Sequence, residues 1–287
     1  MTAGARRQVV EKVQAAANIS ERRAVRFTSF PRSTIRYQTV REPQEELRAR
    51  IREIAAEQVR WGYRFIHNRL RREGRRVNRK RVQRLYREEG LAVRRRGEKR
   101  RSQIPRLIRT PLSGPAKRWS MDFVSDSLSS GRRFRCLNIM DEFSRESLTI
   151  YPSHSIPAVR VIEALERLRE ERGLPEVIVT DNGSEFTSRA FDAWAYARGV
   201  KIDFIQPGKP IQNCFIESFN GTFRDDCLNL HWFLSLEDAR QTIETWRKKY
   251  NEVRPHSSLG WLTPTEFVED HQRSEEHLAI TSSDLPE

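Results

Sequence analysis

The chain has 287 residues, enough for two ordinary domains or for one long domain with an appendage. Its 53 lysines and arginines exceed its 39 acidic residues and give a formal net charge of +14. This charge favours a polyanionic partner, because basic surface gains affinity by releasing the counterions condensed on nucleic acid. No apolar run approaches the ~18 residues of a membrane span and no signal peptide is evident, so we expect no membrane contact and a cytoplasmic location. The three cysteines lack zinc-ligand spacing, and their odd number argues against a disulfide framework.

The positive charge is concentrated in the first part of the chain. Residues 1–118 contain 34 basic against 11 acidic side chains, whereas residues 119–287 contain 19 against 28. This asymmetry predicts that the two parts have different tasks and that the first binds the polyanion. The predicted boundaries are a helical DNA-binding region over 1–92, a basic linker over 93–117, a second domain over 118–270 and a tail over 271–287.

Three short helices are predicted at the start of the chain. Val9, Val10 and Val13 form one apolar stripe, Ser20 can cap a second helix, and Ser33 can cap a third. Three such helices suggest a helix-turn-helix unit. A small helical bundle with a solvated basic face is the alternative, and the sequence leaves both open.

The next segment is predicted to contain an amphipathic helix from Gln44 to Arg60 and then a second helix-turn-helix unit. In that unit one helix precedes Gly74, Asn78 caps the next, and Gly90 ends it. The apolar positions that define the three helices are Leu47, Ile51, Ile54 and Val59, then Phe65, Ile66 and Leu70, then Val82, Leu85 and Tyr86.

A cluster of basic residues surrounds the predicted turn at Gly74. Phosphate contacts from such a cluster would position a DNA duplex without reading its sequence. The alternative is a face that is basic only because it is solvated. The cluster consists of Arg71, Arg72, Arg75, Arg76, Arg79, Lys80 and Arg81.

After Arg118 the pattern changes to that of an α/β domain. Three short strands come first and predict a meander. A helix closed by Gly173, a wholly apolar strand, a helix that ends at Gly199 and a last strand follow, which predicts a mixed sheet flanked by helices. The strands are predicted at Trp119–Val124, Phe134–Met140, Ser147–Tyr151, Val177–Val179 and Lys201–Ile205, and the helices through Val159, Ile162, Leu165 and Leu168 and through Phe191, Trp194 and Ala195.

Three carboxylates occupy positions that predict a shared site. Asp122 lies inside the first strand, where an unpaired buried charge is costly. Asp181 lies at the carboxyl end of the Val177 strand, where ligands of α/β proteins bind. Glu217 lies on a predicted helix, opposite its apolar face. That apolar face consists of Ile216, Phe219, Phe223 and Cys227.

If the first strand and the Val177 strand are neighbours, Asp122 and Asp181 converge, and a helix that crosses their ends adds Glu217. Three carboxylates this close need a cation, and hard oxygen ligands select Mg²⁺ or Mn²⁺. Two such ions can activate an attacking oxygen and stabilise a leaving one in phosphoryl transfer. Arg224 shares the face of Glu217 and is placed to contact a phosphate. Taken singly, Asp181 could serve only in a turn and Glu217 only to solubilise a helix.

Together these residues resemble the integrase-core transposases of bacterial insertion sequences, a family related to retroviral integrases, in the group encoded by two overlapping reading frames. The resemblance covers roughly residues 45–270. Its most specific feature is the 35 residues between Asp181 and Glu217, which match the family's Asp-Asp-35-Glu signature. The motifs are Trp119–Val124, Asp141–Arg145, Thr180–Phe186, Gln206–Pro210, Asn213–Asn229, Tyr250-Asn251 and Arg254–Gly260.

The resemblance implies a ribonuclease-H-like core preceded by an all-α helix-turn-helix-type region. It implies that Asp122, Asp181 and Glu217 are catalytic residues and ligands of two Mg²⁺ or Mn²⁺ ions. Arg224, Lys209 and Asn220 are expected DNA contacts, Lys209 in the motif Gln206–Pro210 and the other two in Asn213–Asn229. The implied activity is metal-dependent strand cleavage at the element ends and transfer of the freed 3′-hydroxyl to target DNA.

The family further implies action as a multimer and as a frameshifted fusion with an upstream helix-turn-helix protein. Two rival functions stay open: a catalytically silent DNA-binding repressor derived from an element, and a nuclease on the same core that cuts without joining. Cys214, Thr222 and Trp261 depart from the residues expected in the family, and Thr222 would weaken a DNA contact. Structural roles are expected for three further motif residues, Asp141, Glu185 and His256.

Overall fold

The computed structural model describes residues 3–36, 44–92, 112–206 and 213–283. The chain forms two compact units, Met1–Arg50 and Ile51–Glu287. Residues 93–111 of the predicted linker lie outside the described part, so the predicted domain boundaries stay predictions.

The first unit contains the three predicted helices, α1 (Ala3–Ala17), α2 (Glu21–Thr28) and α3 (Arg32–Arg36). They pack around a small core in which Val10, Ala24 and Ile35 are buried. Ser20 precedes α2 in extended conformation, as predicted for an N-cap, although its side chain makes no capping hydrogen bond. The prediction that Ser33 caps α3 is wrong. The helix begins one residue earlier, because the Pro31 carbonyl accepts the first helical hydrogen bonds, from the backbone N–H groups of Thr34 and Ile35.

The predicted helical region contains α4 (Glu45–Glu57), α5 (Tyr63–Arg72) and α6 (Arg79–Glu88), and the second unit begins within α4, at Ile51. The Asn78 side chain accepts a hydrogen bond of 2.8 Å from the Lys80 N–H, so the predicted cap is confirmed. The placement of Val59 on the apolar face of α4 is wrong. The helix ends at Glu57, and Val59 is 61% exposed beyond it. The buried side chains are Ile51, Ile54, Ile66, Leu70, Val82, Leu85 and Tyr86.

A five-stranded mixed sheet forms the centre of the second unit, with the strand order β3-β2-β1-β4-β5. The first three strands pair antiparallel and form the predicted meander, whereas β4 and β5 run parallel to β1. The predicted α/β class and the predicted adjacency of the first strand and the Val177 strand are therefore confirmed. The strands are β1 (Arg118–Ser127), β2 (Arg133–Asp141), β3 (Ser147–Ser153), β4 (Val177–Thr180) and β5 (Lys201–Phe204).

Alternate side chains of β1 point to opposite faces of the sheet. Apolar side chains lie on both faces, and two helices cover each of them. Trp119 and Met121 pack against α7 (Ala158–Arg172) and α8 (Arg189–Arg198). Val124 packs on the other face, whose helices are α9 (Cys214–Asp226) and α10 (Leu236–Glu252). The placement of Val159 on the apolar face of α7 is wrong, since Val159 is 57% exposed. The buried positions of α7 are Val161, Ala164, Leu165 and Leu168.

The last described helix, α11 (Pro264–Ser283), connects the sheet domain to the helical region of the same unit. The Arg72 guanidinium on α5 binds the Glu266 carboxylate on α11. Phe65 on α5 makes an edge contact with Trp261, with ring centroids 5.7 Å apart. In the described part of the chain, every helix is too short or too polar to cross a membrane.

Candidate active site

Asp122 lies in the middle of β1, on the sheet face that α9 covers. Its cross-strand partner is Asn138 of β2, which is fully buried. The Phe123 N–H donates a hydrogen bond of 2.7 Å to Asp122 Oδ1. Burial raises the pKa of Asp122 to about 6, and the negative charges of Asp181 and Glu217 add to this rise. Asp122 is thus a half-buried carboxylate within electrostatic reach of the other two.

Asp181 directly follows β4 and is exposed. The parallel pairing of β4 with β1 includes Ser120 opposite Val179, and two further residues along each strand lead to Asp122 and Asp181. The Gly183 N–H donates a hydrogen bond of 3.0 Å to Asp181 Oδ1, which fixes the carboxylate in a tight turn. A Cβ atom at Gly183 would lie only 3.0 Å from this oxygen, so the turn is shaped around a glycine.

Glu217 lies in the first turn of α9 and is exposed. The opposite face of α9 is buried against the sheet, and its members Ile216, Phe219 and Phe223 are at most 2% exposed. The predicted division of this helix into an apolar and a polar face is confirmed. Asn220, which shares the polar face with Glu217, contacts Asp122 of β1.

Asn220 connects Asp122 to the centre of the sheet. Its Nδ2 atom donates a hydrogen bond of 2.7 Å to Asp122 Oδ2, and its Oδ1 atom accepts one of 2.6 Å from Asn138 Nδ2. Sequence reasoning missed Asn138 and placed Asn220 among the DNA contacts. A polar side chain in the apolar run of β2 was the available signal, because a buried amide requires a hydrogen-bond partner.

The donor set of this site suits a hard divalent cation. Three carboxylates provide oxygen ligands, and the pKa of Asp122 is raised first by burial and then by the charges of Asp181 and Glu217, which a bound cation would offset. Within the described residues, no three His, Cys, Asp or Glu side chains stand close enough together to form a complete metal-binding group. The residues therefore fit Mg²⁺ or Mn²⁺ in chemistry and charge, while their present arrangement is more open than a coordination shell.

The predicted DNA contacts fall in different places. The Arg224 guanidinium donates a hydrogen bond of 3.1 Å to the Ser125 carbonyl, beyond Asp122 on β1. Lys209 lies outside the described residues. Arg71, Arg76, Arg79 and Lys80 line an open depression of about 720 Å³ at the turn between α5 and α6. Within the same cluster, Arg72 is bound to Glu266, Arg75 lies in the turn and Arg81 is exposed on α6.

The three motif residues with expected structural roles make contacts of a structural kind. Asp141 Oδ1 accepts hydrogen bonds of 2.8 Å from the Phe143 and Ser144 N–H groups and so orders the turn after β2. Glu185 pairs with Arg135, whose guanidinium lies 4.0 Å from the centre of the Phe123 ring. The His256 ring contacts the Tyr250 ring edge to face, with centroids 4.9 Å apart.

Comparison with known proteins identifies the family to which this chain belongs. Residues 113–210 and 198–264 match the family described as Integrase core domain, and residues 42–99 match the HTH-like domain. The insertion element IS407 31.7 kDa protein of Burkholderia multivorans is 50% identical over 256 residues, covering 89% of this chain and 92% of that protein. The putative transposase InsK for insertion sequence element IS150 of Escherichia coli is 25% identical over 260 residues, covering 85% and 91%.

The fold is also found in a solved assembly. A chain of the cryoEM structure of the simian T-cell lymphotropic virus intasome in complex with PP2A regulatory subunit B56 gamma superposes with a TM-score of 0.50 at 14% identity. The superposition covers 76% of this chain and 74% of that chain. The chain thus contains a helix-turn-helix-like region followed in sequence by an integrase-type core. The protein belongs to the integrase-core transposases of bacterial insertion sequences and is a DNA transposase.

Proposed function

We propose that the chain cuts DNA at the ends of its insertion sequence and joins the freed 3′-hydroxyl to target DNA, with Asp122, Asp181 and Glu217 as catalytic residues. The same three carboxylates are the proposed ligands of two Mg²⁺ or Mn²⁺ ions. The observation that carries the proposal is the register of β1 and β4, which sets Asp122 and Asp181 at corresponding positions, together with the hydrogen bond to Asp122 from Asn220, one turn from Glu217 on α9. Carboxylates from three separate elements repel one another when they lie close together, and a bound cation removes this repulsion.

The reaction consists of two displacements at phosphorus. In the first, a water oxygen bonds to phosphorus, the P–O bond to the 3′ oxygen breaks, and that oxygen leaves as a 3′-hydroxyl. In the second, this hydroxyl oxygen bonds to a target phosphorus, and the target's own 3′ oxygen leaves. When bound, the divalent ions supply activation of the attacking oxygen and stabilisation of the leaving one.

The residues of the chain orient the carboxylates for this task. Phe123 and Asn220 each donate one hydrogen bond to Asp122, and Gly183 donates one to Asp181 Oδ1. Each carboxylate keeps lone pairs for further ligands, since an ionised carboxylate has about four acceptor sites. Arg224, on the face of α9 that carries Glu217, supplies positive charge for a DNA phosphate.

The basic cluster and the site use different parts of the DNA in this proposal. Arg71, Arg76, Arg79 and Lys80 share one depression at a helix-turn-helix turn, which suits a duplex backbone. Arg72, Arg75, Arg81 and Lys209 are the further proposed DNA contacts. We also propose that the protein acts in the cytoplasm, as a multimer, and as a fusion with an upstream-frame helix-turn-helix protein.

The test is an incubation of purified protein with Mg²⁺ or Mn²⁺ and labelled DNA that carries the element's own ends, beside the Glu217→Gln variant. Wild-type protein alone should yield joined products, and only with the metal. Cutting without joining would indicate a nuclease instead. Tight end binding without cutting by the wild type, even as the fusion, would indicate a repressor.

A further inference from the structure

A pocket of about 450 Å³ lies beside α9, on the side that carries Cys214, Ser218 and Thr222. The turn after β2 and the segment 255–258 supply its other walls. We call it the α9 side pocket. Its polar lining consists of hydroxyl groups and basic side chains, which is the composition of an anion site.

The Arg145 guanidinium is the first positive charge at this pocket. It stacks on the Phe215 ring, 3.6 Å from the ring centre, and its Nη1 atom donates a hydrogen bond to the Glu142 carbonyl. Burial lowers the pKa of Arg145. The charges of Glu142 and Asp141 act on Arg145 without an ion-pair contact, since Glu142 binds Ser120 and pairs with Arg118 while Asp141 binds backbone amides. Among the described residues, Arg145 therefore has several unused N–H donors and no ion-pair partner.

The backbone at Arg145 supports a role for its side chain. Its φ angle is +62°, in the left-handed region that favours glycine. A residue with a Cβ atom is strained in this conformation, and such positions concentrate at ligand sites. Glycine would form this turn with less strain, but the chain has an arginine there, and its guanidinium lies at the pocket.

Arg254 adds a second positive charge at the pocket, and His256 adds a neutral ring that can form a hydrogen bond. The Nε2 atom of His256 is buried and has no hydrogen-bond partner in the described part of the chain. Burial and the charges of Arg254 and Arg145 lower the pKa of His256 to about 3, so its ring is neutral and can donate one hydrogen bond. Arg254 pairs with Asp226, while its guanidinium covers the Phe65 ring at 4.9 Å.

We infer that the α9 side pocket binds a backbone phosphate of DNA, held by Arg145, His256 and the hydroxyl groups of the pocket wall. A phosphodiester would compensate the buried guanidinium and satisfy the orphaned ring nitrogen with the same oxygens. Ser218 directly follows Glu217 on α9, so the pocket lies on the helix that carries the proposed catalytic carboxylate. The inference rests on the proposed function only for the identity of the anion as DNA.

The experiment measures DNA affinity as a function of KCl concentration in EDTA, with full-length protein and a fluorescent duplex of the element's end. Arg145→Gln should weaken binding about tenfold and lower the slope of log Kd against log salt by about one. The matched control is Arg167→Gln, an exposed arginine on α7, which should leave both quantities unchanged. Circular dichroism establishes that each variant is folded.

A second pair of variants avoids the buried turn. Ser258 is exposed at the pocket, so Ser258→Glu and Ser258→Gln differ in charge but hardly in size. The glutamate variant should bind DNA at least about tenfold more weakly than the glutamine variant, because its carboxylate repels the phosphate. Equal affinities for this pair, or an unchanged salt slope for folded Arg145→Gln, would overturn the inference.

The outcome is independent of catalysis, because binding is measured without divalent metal. If the wild type joins DNA ends while all pocket variants bind normally, the phosphate site is wrong and the proposed function stands. If the pocket variants lose affinity while the wild type never cuts, the phosphate site stands without the proposed function.

Discussion

Asn220 donates a hydrogen bond of 2.7 Å to Asp122 across 98 residues of sequence. The same amide accepts a hydrogen bond from Asn138, so β1, β2 and α9 meet at one polar chain inside a largely apolar interface. These two hydrogen bonds orient the Asp122 side chain and hold α9, which carries Glu217, against the sheet. Asn220 is therefore proposed as a positioning residue, besides its predicted contact with DNA.

Replacement of Asn220 by alanine should lower the free energy of unfolding by about 1–3 kcal/mol, because the buried Asn138 amide loses its acceptor. The matched control is Asn229→Ala, which removes an exposed amide 3.4 Å from Asp225 and should change stability by less than about 0.5 kcal/mol. Urea denaturation measures both. If Asn220 serves DNA contact alone, its variant will instead lose DNA affinity at unchanged stability.

Gly183→Ala should slow metal-dependent cleavage by up to about tenfold, because the added Cβ atom forces the Asp181 carboxylate to move by a few tenths of an ångström. The new Cβ atom would lie 3.0 Å from Asp181 Oδ1 and 3.4 Å from Glu185 Oε2. Gly62→Ala is the control, since a Cβ atom there has no neighbour within 4 Å. Cleavage rates and melting temperatures should be measured together, and equal cleavage by both variants would contradict the assignment of Asp181.

Asp122→Asn should stabilise the metal-free protein at pH 8 while it abolishes catalysis. The folded pKa of Asp122, about 6, exceeds the ordinary value of 3.8, so the protonated carboxyl favours folding at low pH and this contribution is lost as pH rises through 6. In EDTA the variant should be roughly 1–3 kcal/mol more stable than wild type at pH 8, and the difference should shrink toward pH 4. Differential scanning fluorimetry provides the measurement.

Addition of MnCl₂ at pH 8 supplies the second half of that experiment. Metal that neutralises Asp122, Asp181 and Glu217 should raise the melting temperature of the wild type, because a ligand of the folded state stabilises it. The Asp122→Asn variant should show little or no rise. An equal rise in both proteins would place the bound metal elsewhere.

Much of the fold could be predicted because hydrophobic periodicity is a local signal. The alternation in β1 and the apolar stripes of α5, α6 and α9 each predicted an element that the structure contains. The apolar pattern was misleading at two valines. Val59 lies beyond the end of α4, and Val159 lies on the surface of α7 although its spacing matches that of the buried residues. The three carboxylates were predicted because their positions relative to strand ends and helix faces are local too.

The contacts that orient the site could not be predicted from the sequence, because they join distant residues. In the sequence, Asn138 is a single amide within an apolar run. Only the folded structure shows that it donates a hydrogen bond to Asn220 of α9. Arg72 belongs to the basic cluster by sequence, yet it binds Glu266, 194 residues away. Such pairings depend on how distant elements pack together, and the local sequence patterns contain no information about that packing.

His256 should make the protein less stable in mild acid. Its pKa is about 3 in the folded chain and about 6.5 when unfolded, so between these values the unfolded state binds more protons and stability rises with pH. From pH 8 to pH 5 the wild type should lose roughly 1–2 kcal/mol more unfolding free energy than His256→Gln, whose amide does not titrate. Other groups titrate equally in both proteins and cancel in this comparison. Urea denaturation at the two pH values decides it, and parallel losses would show that His256 is protonated as readily in the folded state as in the unfolded one.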